Sequence, residues 1–466
     1  MSGRWTKRFR LGHDQTEAIF CAGTLRYTRT SLLLLFFWLL WGHFIYLLME
    51  AVIPSLLPLL LRQQQASNVE ISFITTSLNV IGNLVFNPIV SFSSDRHRGP
   101  LGRRRPYILY TTPLVVLCLV LIPFGPELAA AAQRTPLLAG LLRFSPIVPA
   151  TLLISIFVMG FQIFDVFVGS VYHYLVRDTV PEAFLGRFAG MFRLAGALAP
   201  LVFNLFIFRQ AEDHMKAVFI GVALFYGIGM LLMCWRVKEG EYPPAEALAA
   251  TRGRWYARLG CSIRLYLRDC FRDPVYWLTF LATGMASWAT LAGVFAVLFY
   301  REELRITLGA QGNVNAINNV FSLFIALPLG YLVDRWNYFR MAQLGAGLQG
   351  IVCILGCLLI RDIPTLIAFG LCYTLPKMAF VMGMSRAVIA VYPKEKYGQF
   401  GSAGAAFAAL GAIGMSILAA RFVNLAGSYR SYLLWQGMCL ILAGLLFTVV
   451  ERRWIKLGGG RHYQAP

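Results

Sequence analysis

Long apolar runs separated by short polar stretches set the pattern of this chain. Runs of about 20 apolar residues, the length an α-helix needs to cross the hydrocarbon of a bilayer, occur twelve times: 31–61, 71–93, 107–124, 148–176, 187–208, 216–235, 275–300, 312–333, 339–360, 363–392, 398–421 and 431–450. Each predicts a membrane-spanning helix, because lipid offers the backbone no hydrogen-bond partner and a helix satisfies its own groups within one segment. The expectation is an all-α integral membrane protein with twelve transmembrane helices. The first run is too long for a signal-peptide core and no small-residue cleavage site follows it, so the basic N-terminus is expected to stay attached.

Composition agrees: of 466 residues, 58% are hydrophobic and 14% charged, whereas soluble domains run near a quarter charged. The net charge of +20 would suggest nucleic acid in a soluble protein, but its distribution gives another answer. Counted with the flanking Arg187 and Arg340, the two terminal segments and the loops between runs 2–3, 4–5, 6–7, 8–9 and 10–11 hold 29 Lys and Arg, and the other loops, with the flanking Lys216 and Arg421, hold 10. By the positive-inside rule this puts both termini in the cytoplasm, in an inner or plasma membrane. The basic residues then have the lipid bilayer as their partner, and no nucleic acid is expected.

The nine cysteines lie mostly inside the runs and only Cys353 and Cys357 share a turn, so neither a disulfide framework nor a metal site is predicted. There is no GxxxxGK[ST], no HExxH and no nucleophile elbow. The chain is not expected to be an enzyme, to hold a cofactor or to be driven directly by ATP.

An internal repeat organises the runs. Setting Asp334-Arg335 of LGYLVDRWNYFR on Asp95-Arg96 fixes an offset of 239 residues, which places Asn79 on Asn318. PEAFLGRF from Pro181 matches PKEKYGQF from Pro393 at an offset of 212. Two ordered matches in the same topological places imply six helices duplicated in parallel. The expected organisation is a cytoplasmic N-terminus at 1–30, a six-helix half at 31–235, a linker at 236–273, a second six-helix half at 274–450 and a cytoplasmic C-terminus at 451–466. In the linker, Arg254 and Arg258, then Arg264, Arg268 and Arg272, recur every four residues, a spacing that predicts an interfacial helix. Parallel halves joined by a long middle loop resemble the major facilitator architecture, whose substrate site lies between the halves.

The loop between runs 2 and 3 narrows the resemblance. Asn87-Pro88, Ser94-Asp95-Arg96 and Gly102-Arg103-Arg104-Arg105-Pro106-Tyr107-Ile108 resemble the sucrose-transporter branch of the glycoside-pentoside-hexuronide cation symporters. The resemblance implies a cytoplasmic gate in which Asp95, Arg96, Gly102, Arg103, Arg104 and Arg105 exchange ion pairs with acids such as Asp178 and Glu182, and Asp334-Arg335 do the same in the other half. The alternative is that these charges only set topology.

Ionisable groups within the runs are the candidate chemistry, because each costs about 2.5–3.5 kcal/mol at a helix centre. They are His43 and Glu50 in run 1, Asp165 and His173 in run 4, Arg193 in run 5, and Lys377 and Arg386 in run 10. The offset of 212 sets Asp165 on Lys377. The sucrose-type symporters carry a run-4 aspartate that resembles Asp165, but counting back from Asp178 the family's proton-site position falls on Gln162 and its arginine position on His173. Asp165 is a proton or substrate group, or a structural ion pair. Asn79, Asn83 and Asn87 form a polar stripe that binds sugar hydroxyls or joins helices. The implied function is uptake of a small-molecule sugar or glycoside with a proton, sodium being the alternative ion, by a monomer. The rivals are an exporter of a metabolite or drug and a non-transporting membrane scaffold of the same fold.

Overall fold

The computed structural model describes residues 20–135, 147–240, 268, 270–393 and 396–459; the side chains of Phe92, Leu327, Leu332, Val333 and Asp334 are outside the description. A short antiparallel hairpin, β1 (Phe20–Ala22) and β2 (Leu25–Tyr27), precedes the first helix. It turns at Gly23, whose φ of +57° suits glycine. The helices are α1 (Arg29–Gln63), α2 (Asn68–Arg96), α3 (Arg105–Gln133), α4 (Pro149–Thr179), α5 (Leu185–Val202), α6 (Ala211–Arg236), α7 (Pro274–Glu303), α8 (Leu308–Arg335), α9 (Tyr338–Leu359), α10 (Ile363–Val391), α11 (Tyr397–Ala426) and α12 (Tyr432–Lys456). Among the described residues ten segments are long and apolar enough to cross a membrane. One of them, Glu182–Arg236, contains both α5 and α6, which the sequence pattern separates by a polar stretch that folds as helical turns with a kink at His214. With α8, a further 28-residue helix, the described helices are consistent with the expected twelve.

Local sequence explains where the rods bend. Pro54 has no N–H to give the Glu50 carbonyl, and α1 breaks at Ala51 between Arg29–Glu50 and Val52–Gln63. The rod then ends in a Schellman motif, with the Ala66 N–H on the Leu61 carbonyl at 3.1 Å and the Gln65 N–H on that of Arg62 at 3.0 Å. Gln65 carries the left-handed conformation that this motif needs, φ +59°. Arg305, at φ +53°, occupies the matching place after α7.

The packing reproduces the repeat. In the first half the helices touch in the order α2, α4, α3, α6, α1, α5; in the second they touch in the order α8, α10, α9, α12, α7, α11. Adding six to each label converts one order into the other. The halves meet through α2 against α11 and α5 against α8, two contacts that the same exchange interconverts. These contacts lie at the end of the molecule away from the termini, here the distal end. Ser77 Oγ and Ser416 Oγ are 2.6 Å apart, Ser72 donates to the Ser416 carbonyl at 2.9 Å, and Asn315 donates to Asn204 at 3.1 Å. Three π-turns, Phe73–Ser77, Phe203–Ile207 and Phe299–Glu303, sit in this seam, where widened turns commonly mark functional strain.

Of the linker, residues 241–267 and 269 lie outside the description, and with them Arg254, Arg258, Arg264 and the expected interfacial helix. The N-terminal region adds what the apolar pattern did not contain: the hairpin packs Phe20 edge-on against Phe184 at 4.9 Å, ahead of α5.

Candidate functional site

At mid-height in the first half, α1, α2, α4 and α5 surround a cavity of about 370 Å³ lined by Glu50, Thr75, Asn79, Gln162, Asp165 and Pro200 among others. Asp165 is buried, with one carboxylate oxygen accepting from the Tyr46 hydroxyl at 3.3 Å and the other without a hydrogen-bond partner among the described residues. Gly169, one turn on, makes this contact feasible, because a Cβ there would stand 2.5 Å from the Tyr46 hydroxyl. Glu50, beside the Ala51 break, is exposed to the cavity. The cavity thus holds two carboxylates and two amides, a set that can bind hydroxyls and exchange a proton.

The asparagine stripe resolves into two roles. Asn79 donates to Gln162 at 2.6 Å, Ser170 donates to Asn87 at 2.9 Å, and the Ser91 and Tyr174 hydroxyls lie 2.8 Å apart. The partners in each pair are separated by 83 residues, so α2 and α4 run parallel in one register, stitched by a polar ladder. Asn83, on the same stripe, is exposed and donates only to Asn79. His173 continues the cavity-facing side of α4 two turns nearer the termini. It is exposed, with Nδ1 2.8 Å from the Gly169 carbonyl. His43 is buried, with its ring stacked on Phe192 at 3.5 Å.

The ladder ends in an ion cluster. Arg104 is 4% exposed; it donates to Ser94 at 2.6 Å, to Asp95 at 2.5 Å and to Asp178 at 3.2 Å, and lies over the Tyr174 ring at 4.9 Å. Arg103 pairs with Asp178 at 2.8 Å. The sequence reading missed Glu239, whose carboxylate accepts the backbone N–H groups of Arg103, Arg104 and Arg105 at 2.9, 3.0 and 2.6 Å. Three free N–H groups entering α3 form an anion seat, and Glu239, three residues past the end of α6, fills it. Gly102 has φ +95°, and a Cβ there would fall 2.7 Å from the Glu239 carboxyl carbon, so this glycine is required on both counts. These described pairs join α2, α3, α4 and the segment after α6, all within one half. Arg96 is half-buried beside them. In the second half Arg335 lies over the Tyr331 ring at 4.4 Å, and the Asp334 side chain is outside the description.

Lys377, the repeat counterpart of Asp165, is exposed and holds its ammonium 5.7 Å from the Tyr373 ring centre. Among the described residues it forms no ion pair with Asp165 or another carboxylate. Distal contacts were also missed by sequence reasoning: Arg62 on α1 pairs with Glu302 on α7 at 2.9 Å, Asn68 donates to Asn424 at 2.6 Å, and Arg301 pairs with Glu212. No apolar pattern marks residues that matter only once two halves meet.

The Major Facilitator Superfamily profile matches residues 39–300. No curated protein sequence matches the chain. Among solved structures, a bacterial homologue of the human lysosomal transporter Spinster, inward-facing and unoccupied, aligns with a TM-score of 0.66 at 12% identity, covering 94% of this chain and 100% of that one. A nucleoside transporter aligns with a TM-score of 0.64 at 11% identity, covering 89% and 99%. A D-xylose-proton symporter gives 0.61 at 14% identity, covering 88% and 96%. At these identities the likeness is one of fold.

Proposed function

Because the chain belongs to the Major Facilitator Superfamily, we propose that it is a secondary active transporter that takes up a sugar or glycoside with a proton, by rocking its two halves about the central cavity. The observation that carries this reading is Asp165, a buried carboxylate at a cavity wall with one oxygen unpartnered. Ionisable groups at this depth are costly and are kept where they do work on a transported ion or substrate. A carboxylate whose surroundings change between two access states can take a proton on one side and release it on the other. Glu50 serves as the second acid, and Gln162, Asn79 and Asn83 supply neutral hydrogen-bond groups for hydroxyls. His173 in the first half and Lys377 in the second complete the set.

The terminal end is assigned to the cytoplasm on the lysine and arginine distribution. With that orientation the distal seam is the extracellular gate, and the arrangement described above is its closed, inward-open form. The cluster of Asp95, Arg96, Gly102, Arg103, Arg104, Arg105 and Asp178 is the first half's contribution to the cytoplasmic gate, with Asp334 and Arg335 as its counterpart. The sequence motif in this loop supports the sucrose-type branch as the nearest kin in function.

The test is uptake of radiolabelled disaccharides into proteoliposomes with and without an imposed proton gradient. Accumulation that collapses with a protonophore is the expected result. Uptake that only equilibrates, and ignores the protonophore, would overturn coupling; outward movement alone would favour an exporter, and no movement a scaffold.

A further inference from the structure

Tyr46 has no place in the scheme above, yet among the described residues it alone donates a hydrogen bond to Asp165. Both side chains are buried. Tyr46 is not part of the cavity wall; it stands behind the carboxylate, between α1 and α4, with its hydroxyl 3.3 Å from one carboxylate oxygen. Two features of the sequence hold it there. Glu50, four residues on, returns to the same face of α1, so one helix face brings the hydroxyl to the rear of Asp165 and the second acid into the cavity. Gly169, one turn after Asp165 on α4, gives the hydroxyl its seat, since a Cβ there would stand 2.5 Å from it. Of the other titratable groups, Glu50 on α1 and Tyr226 on α6 lie within electrostatic reach of Asp165, and His173 is two turns nearer the termini on α4. Against the same stretch of α4, α2 presents the amide of Asn79, held by Gln162, and α3 presents Cys118, packed at Gly160.

We infer that Tyr46 is the positioning residue of the proton site: its hydroxyl holds Asp165 in one orientation and favours release of the coupled proton from it. The inference rests on the proton-coupled reading. A hydroxyl that donates to a carboxylate binds the charged form more strongly than the neutral acid, whose oxygens are weaker acceptors. Of the two forms of Asp165, Tyr46 therefore helps the one that has given its proton away. On release the O–H bond of the Asp165 carboxyl breaks and its proton passes to water in the cavity, while the Tyr46 O–H stays intact and faces the charge left behind. The bond occupies one oxygen, and the other, without a partner among the described residues, is left to take and give the proton. Tyr172 supplies a contrast on the same pair of helices. It too is buried between α4 and α1, but its hydroxyl donates to the Leu39 carbonyl, a bond that joins the helices without touching an acid.

The experiment titrates Asp165 in the purified full chain by infrared spectroscopy, taking as its signal the carbonyl band of a protonated carboxyl that Asp165→Asn removes. Tyr46→Phe deletes the hydroxyl and keeps the ring, and should move the titration midpoint to higher pH by about one unit, the effect of one hydrogen bond to a charged group. Gly169→Ala keeps the hydroxyl but pushes it off its seat and should move the midpoint the same way, so either variant serves where the other does not fold. Tyr172→Phe should leave the midpoint in place. In proteoliposomes Tyr46→Phe should lose proton-driven accumulation while exchange at equal concentrations persists. Raising the pH by about one unit on both sides, at constant gradient, should restore accumulation, a rescue that a merely structural defect does not allow. An unmoved or lowered midpoint in either folded variant, or an equal rise in Tyr172→Phe, would overturn the proposal. The parent tells this failure from that of coupling: accumulation on a proton gradient by a parent that titrates like Tyr46→Phe sinks the role of Tyr46 alone, whereas a parent indifferent to the gradient sinks the proton-coupled reading and the role of Tyr46 with it.

Discussion

The two halves share an order of helices but not a way of holding them together. In the first, α2 and α4 are joined by side-chain hydrogen bonds at a constant register, and glycines make room for neighbouring side chains: Gly169 for Tyr46, Gly229 for Ile45 and Gly227 for Val116. In the second, Gly370, Gly356 and Gly411 likewise make room for the side chains of Asn318, Phe369 and Trp288, but other glycines let backbones touch. A Cβ on Gly345 would lie 2.6 Å from the Phe380 nitrogen, one on Gly383 2.7 Å from that of Ala342, and one on Gly350 2.8 Å from the Gly437 carbonyl. Close backbone contact through small residues and hydrogen bonding between polar residues are the two available means of helix association in lipid. Both halves hold hydrogen bonds between helices, Gln436 to Tyr373 and Gln343 to Glu451 in the second, but the ladder of constant register is in the half that carries the buried acid. A duplicated fold has thus kept its topology while its chemistry diverged, and the titratable centre sits where the interior was already polar.

The comparison breaks most visibly at Arg104. Removing its guanidinium leaves the buried Ser94 hydroxyl without its partner while Arg103 still pairs with Asp178, and Arg104→Ala should destabilise the first half by about 2–3 kcal/mol. A large fall in the thermal midpoint is the expected readout; a fall no greater than that of an exposed arginine such as Arg340 would show that the cluster holds nothing. Next in size is the glycine contrast. Gly345→Ala must separate α9 from α10 and should cost about 1–3 kcal/mol. Gly229→Ala meets side-chain atoms and no backbone, the tip of Ile45 first and Trp41 Nε1 at 3.3 Å, and side chains give way more readily than a backbone. Equal losses in the two variants would erase the distinction between halves.

Two smaller changes sharpen the picture at the distal end. Gln65→Gly relieves a left-handed residue and should stabilise the protein by up to about 1 kcal/mol, whereas Gln65→Val should do the reverse; a neutral outcome for both would deny the strain. Glu302→Gln removes one half-exposed ion pair across the seam, and such pairs contribute about 0.2–1 kcal/mol. Cysteine labelling in the seam should rise modestly in that variant, and an unchanged labelling rate would remove this pair from the seal.

Much of the fold was legible in the sequence because hydrophobic length and duplication are local properties. The apolar runs give the rods, and the offsets of 239 and 212 anticipate the two matched helix orders. Arg103, Arg104 and Asp178 were legible as charges that could pair, the arginines from the motif in one loop and Asp178 from the end of the fourth run. Glu239 was not: an acid three residues after a helix looks like any other until α6 is brought beside the entrance to α3. Asn87 reads from sequence like Asn83, and only the α4 neighbour separates the ladder residue from the exposed one. The seam pairs Arg62–Glu302 and Asn68–Asn424 join residues 240 and 356 apart, a distance over which no period operates. The equivalence of Asp165 and Lys377 was legible as an offset, but not that each would stand without the other as partner.

That last point carries the central claim, that Asp165 transports a proton and is not one half of a structural ion pair. The direct measurement sets accumulation against exchange in proteoliposomes for the parent, Asp165→Asn and Lys377→Gln. Asp165→Asn is predicted to lose proton-driven accumulation while still exchanging substrate at equal concentrations on both sides, because exchange needs no net proton movement; Lys377→Gln should lower apparent affinity and keep the response to the gradient. If Asp165→Asn still concentrates substrate on a proton gradient, the account is contradicted.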